Sequence, residues 1–172
     1  MAASGNSISS RTSPNTRIED SSVKVYHLHT EQIVSKPLAE VFAFFERPEN
    51  LARITPESLG FVIVTPTPIE MKVGALIDYT IKVMGMRIRW KTLISAYDPP
   101  NRFVDEQLKG PYKLWHHTHT FESADGGTKI IDDVRYALPF GVYGSIAHAL
   151  FVRRDLEKIF KHRENIITEL FR

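Results

Sequence analysis

From residue 143 to residue 171 the chain runs without a proline, and Gly144 is its only glycine there. Ile146, Leu150, Leu156, Ile159, Phe160, Ile166, Ile167 and Leu170 recur at helical spacing, with Arg153 and Arg163 on or beside the same stripe. This spacing predicts one long helix, roughly 30 Å or more from end to end. A helix with a single apolar face of that length needs a wide apolar surface to lie on, and a broad sheet is the element that offers one.

The preceding sequence is rich in strands. Segments 61–65, 75–83, 87–97, 102–109, 113–123 and 128–138 all have strand character. Their connectors hold Pro66 and Pro68, Met84-Gly85-Met86, Asp98-Pro99-Pro100, Gly110-Pro111 and Asp125-Gly126-Gly127. Connectors this short imply antiparallel neighbours, mostly a meander. Segment 23–34 alternates and reads as a first strand. Ser35 ahead of Lys36-Pro37 marks a helix start, Val41, Phe42, Phe44 and Phe45 give a short amphipathic helix, and Pro48 ends it. Residues 48–54 suit a second short helix. The order of elements predicts an α+β fold of the helix-grip type: a seven-stranded antiparallel sheet, curved by its own twist, wrapped around the C-terminal helix, with two short helices after strand 1 closing one end.

Length bounds this to one domain with a tail. Residues 1–22 hold seven Ser, two Thr, two Asn and no aromatic, so they cannot bury enough apolar surface to order themselves. They are expected to be a disordered tail, with an organelle-import signal carrying Arg11 and Arg17 as the minor alternative. The folded domain is expected over 23–172. The chain has no cysteine, which removes disulfides, thiolate nucleophiles and cysteine-based metal sites and fits a reducing compartment. The expected location is the cytoplasm. Net charge is +2 and no basic run exceeds two residues, so no nucleic-acid footprint is visible. No apolar run approaches the length of a transmembrane helix. The sequence carries no signal of oligomeric state.

Chemistry concentrates in Trp115-His116-His117-Thr118-His119-Thr120-Phe121 and in Ile130-Ile131-Asp132-Asp133-Val134-Arg135-Tyr136 across the Gly-Gly turn. On a strand, Trp115, His117, His119 and Phe121 share one face, and Asp132 lies across from His117 or His119 depending on register. Two imidazoles and a carboxylate among aromatics are the mixture of a small-molecule site. Phe103, Asp105 and Gln107 share a strand face, and an inward Asp105 would need a partner such as His117 or an arginine of the last helix. Tyr79 and Trp90 read as cavity walls. Arg153 or Arg163 could hold a ligand carboxylate or phosphate at the mouth. Zinc takes at least three protein ligands as a rule, and no helix-borne His or Glu pair adds to the two imidazoles and Asp132. The expectation is therefore no metal, with the two histidines acting as a hydrogen-bonded pair and Asp132 accepting from one of them.

The ordered motifs Pro37-Leu-Ala-Glu-Val-Phe42, Asp98-Pro-Pro100, Phe103-Val-Asp105-Glu-Gln107, Gly110-Pro-Tyr112, Trp115-x-His117-x-His119-x-Phe121, Gly127-Thr128, Asp132-x-Val134-x-Tyr136-x-Leu138-Pro139, Arg153-Arg154 and Phe160-x-x-Arg163 resemble the SRPBCC superfamily, the START-like, polyketide cyclase/dehydrase-like helix-grip group. The likeness is closest to small bacterial-type ligand-binding members and covers about 23–171. It implies a cavity between sheet and final helix. Members bind lipids, hormones, quinones or polyketides, and some are enzymes.

The leading expectation is a binding protein for a hydrophobic or lipid-like small molecule, with no cofactor. Its ligand contacts would be Tyr79, Trp90, Phe103, Asp105, Gln107, Trp115, His117, His119, Phe121, Asp132, Tyr136 and Arg153. The alternative is a cyclase- or dehydratase-type enzyme in which His117 or His119 moves a proton and Asp132 sets the tautomer. A third is an interaction module whose cavity is filled by its own side chains.

Overall fold

The computed structural model describes residues 23–172; the expectation of a disordered tail over 1–22 lies outside the described residues. Strand β1 (Val25–Val34) leads into helix α1 (Leu38–Phe45) and two 3₁₀ turns, Pro48–Ile54 and Glu57–Leu59. Strands β2 (Val62–Ile63), β3 (Leu76–Val83), β4 (Met86–Asp98), β5 (Arg102–Lys109), β6 (Leu114–Ala124) and β7 (Gly127–Ala137) follow. The chain ends in α2 (Gly141–Ala147), a π-helical segment His148–Val152, and α3 (Arg153–Leu170). All seven strands form one sheet in the order β1-β7-β6-β5-β4-β3-β2, with every pairing antiparallel.

Local chemistry explains the joints. Gly126, at φ +77, closes the β6–β7 hairpin in the left-handed conformation. A Cβ on Gly127 would sit 1.8 Å from the carbonyl oxygen of Val34, so only glycine lets β7 start against the end of β1. Register slips between Lys91 and Thr92, and between Ile94 and Ala96, break the β4–β5 ladder. Such irregularities bend a strand and help the sheet to curl.

The final helix departs from a single straight rod. The π segment between α2 and α3 carries extra residues per turn. Each extra residue rotates what precedes it by about 100° relative to an uninterrupted helix. In α3 the stripe Leu156, Phe160, Arg163 and Ile167 is buried, whereas Ile146 of α2 and Leu150 and Phe151 of the π segment are exposed.

Two apolar clusters make the core. One joins α1 to the sheet through Val34, Val41, Phe42, Phe45, Ile54, Phe103, Phe121, Ile130, Ile167 and Phe171. The other holds Val134, Tyr136, Leu156 and Phe160. Along β6 the polar pair His117 and His119 falls between Trp115, packed on the second cluster, and Phe121 of the first. Asp132 is likewise bracketed by Ile130 and Val134 on β7, and Arg163 by Phe160 and Ile167 on α3.

Candidate functional site

Register brings the polar residues together. Asp132 on β7 pairs directly with His119 on β6, and Asp105 on β5 pairs with His117. Alternation points these side chains to the concave face, where His117, His119 and Asp132 are buried. Arg163 comes down from α3 onto the same spot and is buried with them.

The contacts form a closed ring. Asp132 Oδ1 accepts from His117 Nε2 at 2.9 Å and from Arg163 Nη2 at 3.2 Å. His119 Nδ1 lies 2.9 Å from the same oxygen. His119 Nε2 donates to Asp105 Oδ2 at 2.9 Å, and His117 Nδ1 stands 3.5 Å from that oxygen. The two imidazoles lie over one another with ring centres 3.7 Å apart. They are therefore not hydrogen-bonded to each other, as the sequence suggested, but share both carboxylates. Asp132 serves both rings rather than one.

The charges follow from this geometry. Burial raises the cost of ionising Asp132, but Arg163 and the two imidazoles outweigh it and hold its carboxyl well below the usual 3.8. Asp105 is lowered too: burial opposes ionisation, and His117, His119 and Arg163 overcome it. His117 is lowered by burial and by the neighbouring His119, against the pull of the carboxylates. His119 is raised, because Asp105 and Asp132 at its two nitrogens outweigh its own burial. These directions favour a proton on His119 over His117, and with that proton the two carboxylates, Arg163 and His119 sum to zero charge.

This cluster borders a cavity of about 900 Å³ between the concave sheet and α3. Tyr79, Trp90, Phe103, Asp105, Trp115, His117, His119 and Arg163 line it, with Ile77, Ile81 and Ile94 from the sheet, Leu156, Ile159 and Phe160 from α3, and Phe44, Phe45, Leu51 and Ile54 from the closing helices. Burial raises the Tyr79 phenol well above its usual range, with Asp105 adding to the shift, so it stays protonated. Trp90 stacks on Tyr79 with ring centres 5.7 Å apart. Its buried Nε1–H has no acceptor among the described residues, and neither has Arg163 Nε.

Five residues singled out in the sequence lie off the cavity wall. Phe121 and Tyr136 are buried in the apolar clusters, outside the cavity lining. Gln107 clamps the β5–β6 turn, donating to Tyr112 O at 2.7 Å and accepting from Tyr112 N at 3.2 Å. Arg153 is exposed and pairs with Glu157 at 2.8 Å, one helical turn on. Asp132 stands behind the histidines rather than on the cavity wall. Of the two arginines considered, Arg163 is the one that reaches the cavity wall, and there it pairs with Asp132. Tyr112 was missed as a wall residue, although its place after Gly110-Pro111 made it a turn aromatic close to Trp90 and Trp115.

Two sets of side chains among the described residues bring three metal-ligating atoms within 4.8 Å of one another: Asp105, His117 and His119 inside, and His27, His29 and Asp133 outside. In the inner set both nitrogens of His119 already face carboxylates, and Arg163 brings a fixed positive charge to the same oxygen of Asp132. That donor set suits a hydrogen-bond network better than a cation. In the outer set Asp133 Oδ2 takes His27 Nε2 at 2.8 Å and stands 3.4 Å from His29 Nδ1.

A curved antiparallel sheet that grips a C-terminal helix across a cavity defines the helix-grip class of proteins. Within that class, the sequence profile described as polyketide cyclase / dehydrase and lipid transport matches residues 34–163, and the chain belongs to this family. Solved structures share the fold at low identity. TTHA0849 of Thermus thermophilus is 18% identical, with TM-score 0.64 over 83% of this chain and 97% of its own. CV1439 of Chromobacterium violaceum is 13% identical, with TM-score 0.65 over 85% and 97%. Major latex-like protein 151 of Panax ginseng is 12% identical, with TM-score 0.63 over 86% and 97%. No curated protein sequence matches the chain significantly. No helix among the described residues is long and apolar enough to cross a membrane.

Proposed function

We propose that this chain binds a mostly apolar small molecule, of lipid-like character, in the cavity between sheet and α3. The observation that carries the reading is the cavity itself: about 900 Å³, within the range of ligand sites, apolar and aromatic over most of its wall and polar at one place. Tyr79, Trp90, Phe103 and Trp115 would supply contact area. Asp105, His117 and His119, anchored by Asp132 and Arg163, would orient a polar end. The unpaired Trp90 Nε1–H calls for an acceptor such as a ligand carbonyl or hydroxyl, because a buried donor without a partner is costly. General acid–base chemistry is the weaker reading. Both nitrogens of His119 are occupied by carboxylates and His117 Nε2 is committed to Asp132, which leaves only His117 Nδ1, itself 3.5 Å from Asp105 Oδ2, to take a substrate proton. The absence of cysteine agrees with a reducing compartment such as the cytoplasm.

The test is native mass spectrometry of protein purified from its own host, followed by solvent extraction. A stoichiometric, extractable apolar molecule, displaced when Trp90 and Trp115 are replaced by alanine, is expected. Protein that carries nothing and binds none of a panel of fatty acids, sterols, quinones and aromatic polyketides would sink the reading.

A further inference from the structure

We propose that the chain docks onto the surface of an anionic lipid bilayer through two apolar prongs that flank the cavity mouth. The first prong is the tip of the β3–β4 hairpin, where Met84 is 94% exposed and Met86 66%. The second is the segment from Phe140 into the π-helical turn, where Phe140 is 81%, Tyr143 80% and Phe151 65% exposed. Met84, Phe140 and Tyr143 also line the cavity, so these exposed side chains form its rim.

Two further observations set this rim apart from scattered surface hydrophobics. Met84 (φ +49) and Phe140 (φ +69) are the non-glycine residues with positive φ among the described residues. That conformation is filled at most turns by glycine, asparagine or aspartate. Here it holds a large apolar side chain out over the opening in both prongs. Strain of this kind tends to persist at functional positions.

The second observation is charge. Residues 79–97 and 134–154, which carry the two prongs, contain no Asp or Glu, although exposed Asp155, one residue beyond, also lines the cavity. Behind the first prong stand exposed Lys82, Arg87 and Arg89, and behind the second exposed Arg154, beside Arg153, whose charge is paired with Glu157. Apolar tips backed by cations are the pattern of an interfacial membrane contact: the tips enter the acyl boundary, and the cations sit at the level of anionic headgroups. A mouth that opens between the prongs would let an apolar ligand pass from bilayer to cavity without crossing water. That consequence rests on the ligand-binding reading; docking rests on exposure and charge alone.

The experiment is co-flotation of the full chain with phosphatidylcholine vesicles, with and without phosphatidylserine. The double variant Met86→Asp/Phe151→Asp is compared with Ile33→Asp, which adds an acid at an exposed apolar residue of β1. Met86 and Phe151 do not line the cavity, so uptake of 1-anilinonaphthalene-8-sulfonate by the double variant in vesicle-free solution reports on the cavity separately. The expected result is binding to phosphatidylserine vesicles that weakens with salt, falls roughly tenfold or more in the double variant, and is unchanged in Ile33→Asp. No binding to phosphatidylserine vesicles would overturn the proposal. So would equal binding by the double variant, equal loss in Ile33→Asp, or a dimer of this chain that the double variant abolishes. If vesicles bind as expected but the dye never enters the wild-type cavity, docking stands and the ligand reading fails.

Discussion

Arg163 governs the protonation of its neighbours. Its guanidinium keeps Asp132 ionised, and the two carboxylates in turn hold a proton on His119 while His117 stays neutral. Stability should therefore depend on pH in a way that names these residues. Folding raises His119 above 6.5, so its contribution is complete below that value and declines as pH climbs through the raised pKa. Folding lowers His117, so its contribution is complete above 6.5 and declines as pH falls toward the lowered pKa. Asp105 and Asp132 lose their contribution only as pH drops below 3.8. The expected outcome is a stability maximum near pH 6.5, measured by urea unfolding across pH. In His119→Gln the alkaline decline should vanish while the acid one remains. A wild-type profile flat from pH 5 to 8 would refute the charge assignment. At this scale the sequence was partly legible. His117, His119 and Asp132 announce themselves by alternation, because a strand's period of two fixes which side chains share a face. The arginine did not: Arg153 and Arg163 lie on the same predicted stripe, and only the phase of the last helix decides which of them is buried.

The elements show where pattern suffices and where it does not. β3 to β7 were legible because Gly and Pro punctuate them and their connectors are too short for anything but antiparallel neighbours. The π segment was not, since nothing in His148-Ala-Leu-Phe-Val152 distinguishes an inserted residue from a continuing α-helix. The stripe of apolar residues simply continues through it, and the phase shift exposes part of that stripe at the rim. α1 is the element on which closure of the cavity's inner end depends. Phe42 is buried and meets Tyr97, Phe103 and Phe121 at ring-centre distances of 6.1, 6.3 and 5.5 Å. Phe42→Ala removes the ring that joins this helix to three strands and leaves a void among stiff aromatic neighbours. It should cost about 3–5 kcal/mol in denaturant unfolding. A loss under about 1 kcal/mol would mean that α1 packs loosely and that the closing helices do not hold the end of the cavity.

For the whole molecule, the cavity is a weakness that a ligand would remove. A 172-residue chain that keeps about 900 Å³ open inside its core forgoes the packing that a filled interior would give. Its buried Trp90 Nε1 and Arg163 Nε lack partners among the described residues, and a missing partner costs most where water cannot substitute. A molecule that fills the space and accepts those hydrogen bonds binds the folded state alone. Mass action then stabilises the fold by about 2.7 kcal/mol when free ligand stands at about a hundred times its dissociation constant. In a chain of this size that corresponds to a rise of roughly 5–11 °C in Tm. Protein stripped of its co-purifying molecule on a hydrophobic resin should therefore melt lower by about that amount, and adding back the extract should restore it. The melting transition should also move with extract concentration, which a mere repair of damage during stripping would not produce. Stripped and untreated protein melting together, with no response to extract, would mean that the cavity is empty in its working state and that its side chains close on themselves.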